Sequence, residues 1–330
     1  MRRREFIALT GSAAATLPLA ARAQQGRIKR IGVLMGWAET DPEARAALAA
    51  FLNGLQQLGW VDGRNLQVEL RWAAGDPGRM REFAKELVAL QPETILANTT
   101  PVTAALYRET RAIPVVFVIV SDPVGAGFVA SLAQPGGNIT GFINVETGMG
   151  GKWLELLKEI APGVRRAAIM FNPDTAPGGG SYFMGTLEAA ARAFGVEAIK
   201  SPVRSDVEIE TVITGLGREQ GGGLVVMTDG FMVVHRGSII PLAAHNNVPA
   251  IYSEAVSTRD GGLLSYGANI RDVFSRSASY VDRILRGARA ADLPVQTPTK
   301  YELAINLKTA RALGLNVPPT LLTRADEVIE

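Results

Sequence analysis

The chain has 330 residues, 47% of them hydrophobic, with 34 basic and 32 acidic side chains, a formal net charge of +2 and no cysteine. So small an excess of positive charge gives little attraction for a polyanion, and no nucleic-acid partner is expected. The lack of cysteine excludes disulfides, thiol nucleophiles and cysteine-based zinc sites.

The chain opens MRRREFIALTGSAAATLPLAARAQQ. Arg2, Arg3 and Arg4 precede a short apolar run, Phe6 to Ala21, which closes on the A-x-A-like Ala21-Arg22-Ala23. That is the layout of an export signal, and the paired arginines point to the twin-arginine route. The run is too short and too rich in small residues to be a good membrane span. Residues 1–23 are therefore set aside from the fold. Their removal takes away Arg2, Arg3, Arg4, Arg22 and Glu5, and the formal charge passes from +2 to −1. Nothing later is apolar for long enough to span a bilayer. No cysteine is present to carry a lipid anchor. The expected product is soluble in the periplasm, and its remaining length can form two cores.

Short β-rich runs then alternate with longer helical segments, the rhythm of a parallel α/β fold. Strand RIGVLMGW is followed by a helix through DPEARAALAAFLNGLQQLG, with Asp41 as N-cap, Pro42 at the first helical position and Gly59 as the stop. Next come strand LQVELRW, helix PGRMREFAKELVAL, strand ETILANT, helix PVTAALYRET and strand IPVVFVIV. These βα units suffice for one doubly wound domain. After QPGGNITGF the rhythm restarts, with helices beginning GGKWLELLKEIAP and strands RRAAIMFNP, VEAIKSPV, GGLVVMTDG, PAIYSE and GGLLSYGAN. Helix RDVFSRSASYVDRILRG and a long tail close the chain. Two similar α/β halves result.

The segment SDPVGAGFVASLAQPGGNITGF contains Gly-Ala-Gly-Phe-Val-Ala, which fits the dinucleotide pattern G-x-G-x-x-[GA], with Glu146 about 20 residues on. Asp122-Pro123, however, reads as the start of a helix before the glycines. The glycines then fall inside a short helix rather than in a phosphate-cradling loop. Three readings stay open: a dinucleotide loop, a capped and closely packed helix, and a ligand site at the helix start involving Ser121 and Asp122. His235 and His245 lie on one predicted helix without i, i+4 spacing or an acidic cluster, so no metal site is expected. No cofactor is expected either.

Ligands of open α/β sheets bind beyond the carboxyl ends of strands. In the first half this rule selects Gly36, Trp37, Asn98, Thr99, Thr100, Ser121 and Asp122. In the second half it selects Asn172, Asp229, Tyr252, Glu254 and Asn269. Thr99 or Thr100 can cap the helix at Pro101, or offer a hydroxyl and a helix N-terminus to a carboxylate. Asp229 has no immediate helix to cap in this reading, which favours a place in the cleft opposite a ligand ammonium. Glu254 either caps a helix over 255–259 or faces the ligand. Trp37 either stacks on an aromatic or apolar ligand or fills the core. Trp60 and Trp153 read as packing residues.

Several phrases coincide: IPVVFVIVSDPVGAGFVASLAQPGGNITGF, GGLLSYGAN, and YVDRILRGARAADLPVQTPTKYELAINLKTARALGLNVPPTLLTRADEVIE. With the export signal, they resemble the substrate-binding proteins of bacterial ABC uptake systems, a family that includes tryptophan/tyrosine-type binding proteins. The resemblance covers nearly all of the exported chain. It implies a type I periplasmic-binding-protein fold: two Rossmann-like lobes with parallel sheets, a ligand cleft between them, and hinge closure. It also implies lobes discontinuous in sequence, 24–143 plus 271–290 and 144–270 plus 291–330, with crossovers near 141–144, 269–271 and 290–294. The expected function is capture of a small organic solute, an aromatic or apolar amino acid, by a monomer that serves an ABC permease and its ATPase. No catalytic residues are expected. The alternatives are an exported enzyme on two Rossmann-like domains with a nucleotide-type cofactor, and a sensor that presents its ligand-bound state to a membrane receptor.

Overall fold

A computed structural model of the protein describes residues 28–330; the export signal read in residues 1–23 lies outside them. The first half begins with β1 (Lys29–Met35), α1 (Pro42–Gln57), β2 (Leu66–Trp72), α2 (Pro77–Ala89), β3 (Thr94–Asn98), α3 (Thr100–Glu109), β4 (Val115–Val120) and β5 (Ile139–Ile143). Local chemistry sets these boundaries. Asp41 accepts from the Glu43 and Ala44 amides, Pro42 takes the first helical position, and Gly59 at φ +91° turns the chain away after α1. The five strands form a wholly parallel sheet in the order β2-β1-β3-β4-β5.

The chain then passes through α4 (Met149–Ile160), β6 (Arg166–Phe171), α5 (Met184–Phe194), β7 (Glu197–Pro202), α6 (Asp206–Gly217) and β8 (Gly222–Val226). It continues with α7 (Gly230–Val234), α8 (Arg236–His245), β9 (Ala250–Tyr252), α9 (Ala255–Arg259), β10 (Leu264–Ala268), α10 (Ile270–Leu285), β11 (Tyr301–Asn306), α11 (Leu307–Ala312), α12 (Pro319–Arg324) and β12 (Glu327–Ile329). The second sheet has the order β12-β11-β10-β9-β8-β6-β7 and is parallel except where β10 meets β11. Two parallel-dominated sheets, each flanked by helices, agree with the α/β, two-lobed fold class expected from the sequence. Among the described residues, no helix is long and apolar enough to cross a membrane.

Each sheet is covered on both faces, so central strands such as β4 and β8 read as continuous apolar runs. In the first lobe α1 and α10 cover one face, with Phe51, Phe142 and Phe274 at the centre, while α2 and α3 cover the other around Phe117 and Leu87. Full burial of each such side chain stabilises by about 1.5–3 kcal/mol. α10 returns from far along the chain and lies so close to α1 that a Cβ on Gly54 would sit 2.8 Å from both Ala278 Cβ and the Ser275 carbonyl oxygen. In the second lobe α4 and α5 pack around Trp153 and Phe183, and α6 and α8 cover the opposite face around Ile209 and Ile239.

Three segments run between the sheets: from β5 to α4, from β10 to α10, and from α10 to β11. The third is tied to the first sheet as it leaves, because Gln296 exchanges backbone bonds with Gly141 and Ile143. β5 did not stand out in the sequence. It pairs with β4 at Gly141, where a Cβ would lie 2.1 Å from the Phe117 carbonyl oxygen, so only glycine permits the approach.

The helix expected after Asp122-Pro123 does not form. Asp122 caps as expected, its Oδ1 accepting from the Gly125 amide at 2.8 Å, but the segment is a run of tight turns. Gly127 takes a left-handed φ of +71°, which ends any helix after one turn, and the Phe128 and Val129 amides both return to the Pro123 carbonyl. The glycines are therefore in a loop after all. Its amides are nevertheless spent within the segment: Ala126 donates to Asp122, Gly127 to Val124 and Ala130 to Pro135. A pyrophosphate would find no free row of N–H groups there.

Candidate functional site

The carboxyl ends of both sheets face one another across a narrow cavity. From the first lobe it is lined by Trp37, Thr99, Thr100, Pro101, Ile119, Ser121 and Asn144. From the second it is lined by Thr175, Thr228, Asp229, Gly230, Val233 and Glu254. It opens into a wider, largely apolar mouth bounded by Gly36, Pro77 and Met80 on one side and by Asn172, Phe231 and His235 on the other.

Six residues selected at strand ends thus meet in one cavity: Trp37, Thr99, Thr100, Ser121, Asp229 and Glu254. Gly36 and Asn172 border its mouth. Asp122 lies at a neighbouring opening with Thr100 and Arg108. Asn98 is fully buried beneath the cavity, where its Oδ1 accepts from the Gly36 amide at 3.1 Å. Asn269 caps α10 through the Asp272 amide and borders an adjoining cavity that meets the first at Glu254. Tyr252 is not brought to the cleft: it is 2% exposed and packs among Ala168, Met170 and Leu224 in the second lobe's core. Burial alone drives its phenol pKa up.

The first-lobe wall offers donors. Trp37 Nε1, Asn98 Nδ2 and Thr99 Oγ1 are buried, and none has a hydrogen-bond partner among the described residues. Thr99 occupies the N-cap position of α3, yet its hydroxyl does not cap. Its backbone sits at φ +82°, and Ile119, beside a bulge in β4, sits at φ +59°. Left-handed backbone at β-branched residues costs on the order of 1–3 kcal/mol each, and both residues line the cavity. The Thr99 hydroxyl lies against Gly36, where an added Cβ would come within 2.7 Å of it, beside the start of α3, whose first amides attract negative charge. Trp37 is 4% exposed, with its ring 6.1 Å from that of Phe274. It is at once core and cavity wall.

The second-lobe wall offers carboxyls. Asp229 is 7% exposed and does cap a helix, contrary to the expectation that none follows it. Five residues, GFMVV, suffice to form α7, too short a run to stand out by periodicity. Oδ1 accepts from the Met232 amide (2.8 Å) and from Thr175 Oγ1 (3.1 Å), and Oδ2 from the Asn172 amide (3.0 Å). Burial pushes its pKa up to about 6, against the opposing effect of these bonds. Glu254 is 5% exposed and holds the N-cap position of α9 without capping it. Burial pushes its pKa to about 7; Arg236 pulls the other way, while Glu43 and Asp41 add to the rise. Neither carboxyl has an ion-pair partner among the described residues.

Both acids hold their protons to higher pH in the folded chain than in the unfolded one. Each therefore adds stability at low pH that fades as pH rises, between 3.8 and about 6 for Asp229 and between 4.5 and about 7 for Glu254. At about 1.4 kcal/mol per pH unit and group, the ligand-free protein is expected to lose about 4 kcal/mol between pH 5 and pH 7.5 relative to an Asp229→Asn/Glu254→Gln variant. Denaturant unfolding of both proteins at the two pH values measures this; a constant stability gap would contradict it.

Sequence reasoning passed over Thr175, Ile119 and Asn144. Asn144 joins the lobes: Ser121 Oγ donates to its Oδ1 and its Nδ2 donates to Thr228 Oγ1, both at 3.1 Å. A polar residue at the first crossover was the signal available for it. Ser121 is engaged in this chain, whereas Asp122 is engaged with its own loop. Ion pairs also link the lobes beside the cavity, Arg236 to Asp41 at 2.8 Å and Arg259 to Glu43 at 3.4 Å.

The family described as ABC transporter substrate binding protein matches residues 40–329. A tyrosine-binding protein of Clostridioides difficile (strain R20291) is 27% identical over 277 residues, which is 83% of this chain and 78% of that protein. A Streptococcus pneumonia ABC domain in complex with L-Trp superposes with a TM-score of 0.84 at 24% identity, over 92% of this chain and 100% of that one; at such identity the likeness concerns the fold. A ligand-free, open substrate binding protein with adhesive properties from Clostridium difficile gives a TM-score of 0.69 at 26% identity, over 92% and 99%.

Proposed function

This chain belongs to the ABC transporter substrate binding protein family, and we propose that it captures an α-amino acid with an aromatic or apolar side chain in the interlobe cavity and delivers it to a membrane permease. As a member of that family it is a solute-binding protein and not an enzyme. In our reading it is exported by residues 1–23 and acts in the periplasm as a monomer, with an ATPase driving the permease. Its lobes comprise 24–143 plus 271–290 and 144–270 plus 291–330.

The observation that carries the amino-acid reading is Asp229, a buried carboxyl facing a cavity and lacking a cation. A ligand ammonium supplies one. Across the cavity the Thr99 hydroxyl, the Trp37 indole N–H and the start of α3 supply donors for the ligand carboxylate. The zwitterion then bridges the lobes, and closure buries both of its charges in a site of low dielectric. The tyrosine-binding relative supports the choice of side chain. The higher TM-score against the L-Trp complex than against the open structure accords with a cleft in its closed form.

A thermal-shift screen of amino acids, small carboxylates and purines tests the proposal. A ligand at 100 times its Kd adds about 2.7 kcal/mol, a rise in Tm of roughly 5 °C for a protein of this size. Aromatic amino acids are expected to give the largest rise. A shift produced by NAD or NADP alone would favour the nucleotide-enzyme alternative.

A further inference from the structure

With an amino acid seated in this way, the polar groups of the cavity can be accounted for one by one. Asp229 takes the ammonium, and Thr99, Trp37 and the α3 terminus take the carboxylate. Ser121, Asn144 and Thr228 are bonded to one another, and Thr175 is bonded to Asp229. Glu254 remains. It is more than nine-tenths buried and lines the cavity, and its carboxyl makes no hydrogen bond or ion pair among the described residues, not even to the helix whose first amides it could cap. The nearby cations are committed elsewhere: Arg236 to Asp41 and Asp260, Arg259 to Glu43 and Glu327.

Its position relative to Asp229 follows from the sheet. β8 and β9 are parallel neighbours with Leu224 opposite Ala250 and Val225 opposite Ile251. Asp229 and Glu254 therefore leave adjacent strand ends on the same wall. Apolar groups share that cavity, namely the Trp37 ring, Ile119 and Val233. A solute lying along this wall presents an ammonium at one carboxyl, an apolar body beside these side chains, and a second donor at the other carboxyl.

We propose that Glu254 is a specificity-determining ligand contact that accepts a hydrogen bond from a donor at the far end of the solute's aromatic side chain, a phenolic O–H or a ring N–H. The assignment rests on the amino-acid reading above. It makes the cleft selective in a particular sense: an isosteric side chain without the donor leaves a buried carboxyl unpaired, and sites built that way reject such analogues strongly.

Isothermal titration with two matched pairs tests it: tyrosine against phenylalanine, and tryptophan against 1-methyltryptophan, whose ring nitrogen carries no hydrogen. The wild-type protein is expected to prefer the donor-bearing member of at least one pair by roughly tenfold or more. Glu254→Leu is expected to abolish that preference while phenylalanine still binds. Glu254→Gln, which keeps the shape of the site, is the second variant and is expected to lower the ratio, because an amide accepts more weakly than a carboxylate. Equal affinities within both wild-type pairs, or an unchanged ratio in either folded variant, would overturn the assignment and leave the amino-acid reading standing. Failure of all four compounds to bind would overturn the amino-acid reading, and this assignment with it.

Discussion

Asp229→Asn is expected to weaken binding of an aromatic amino acid by roughly 30-fold to several thousand-fold, the range that follows from the ~2–5 kcal/mol lost when one partner of a buried charge pair is removed. The same substitution should leave the ligand-free protein as stable as before or more so. Asparagine still caps α7, whose first amides Asp229 now satisfies, and it is spared the cost of burying a carboxylate, the effect that holds Asp229 near pKa 6. Loss of affinity together with an intact Tm separates a ligand contact from a purely structural cap. A variant that unfolds early but binds normally would assign Asp229 to α7 alone.

Trp37 carries the second large effect, and two substitutions divide it. Trp37→Ala removes a 4% exposed ring that packs against Phe274 and walls the cavity, at about 3–5 kcal/mol and thus a fall in Tm of roughly 5–9 °C. Trp37→Phe keeps most of the packing and deletes only the indole N–H, which has no partner among the described residues. A hydrogen bond to a charged group is worth ~1.5–3 kcal/mol, so Trp37→Phe should weaken binding by about 10- to 150-fold with a small change in Tm. Affinity unchanged in Trp37→Phe would show that the N–H does not meet the ligand and that the ring alone matters.

Most of the fold was legible because its signals are local. Asp41, Pro42 and Gly59 bracket α1, and the buried runs of β1, β3 and β4 are continuous and apolar. What escaped depends on partners distant in sequence. Ile139–Ile143 becomes a strand only because β4 and Gln296 pair with it. The loop after Asp122 carries a helix start, but its glycines withhold the propensity to continue. The site was half legible for a related reason. The strand-end rule finds the rim of the cleft, but it does not say which way a side chain points once the strand has ended. Tyr252, still within β9, turns into the core, and Glu254, two residues on, reaches the cavity. Thr99 needed its left-handed backbone to be seen as a free hydroxyl rather than a cap, and nothing in the sequence announces that conformation.

An ammonium seated on Asp229 is what makes this cleft an amino-acid site, and isothermal titration at pH 7.5 with tyrosine and with 3-(4-hydroxyphenyl)propionate, its counterpart without the amino group, tests it most directly. Tyrosine is expected to bind once per chain, and the deaminated acid at least about 30-fold more weakly, the cost of leaving the buried carboxylate unpaired. Equal binding of the two compounds, or no binding of either, would contradict it.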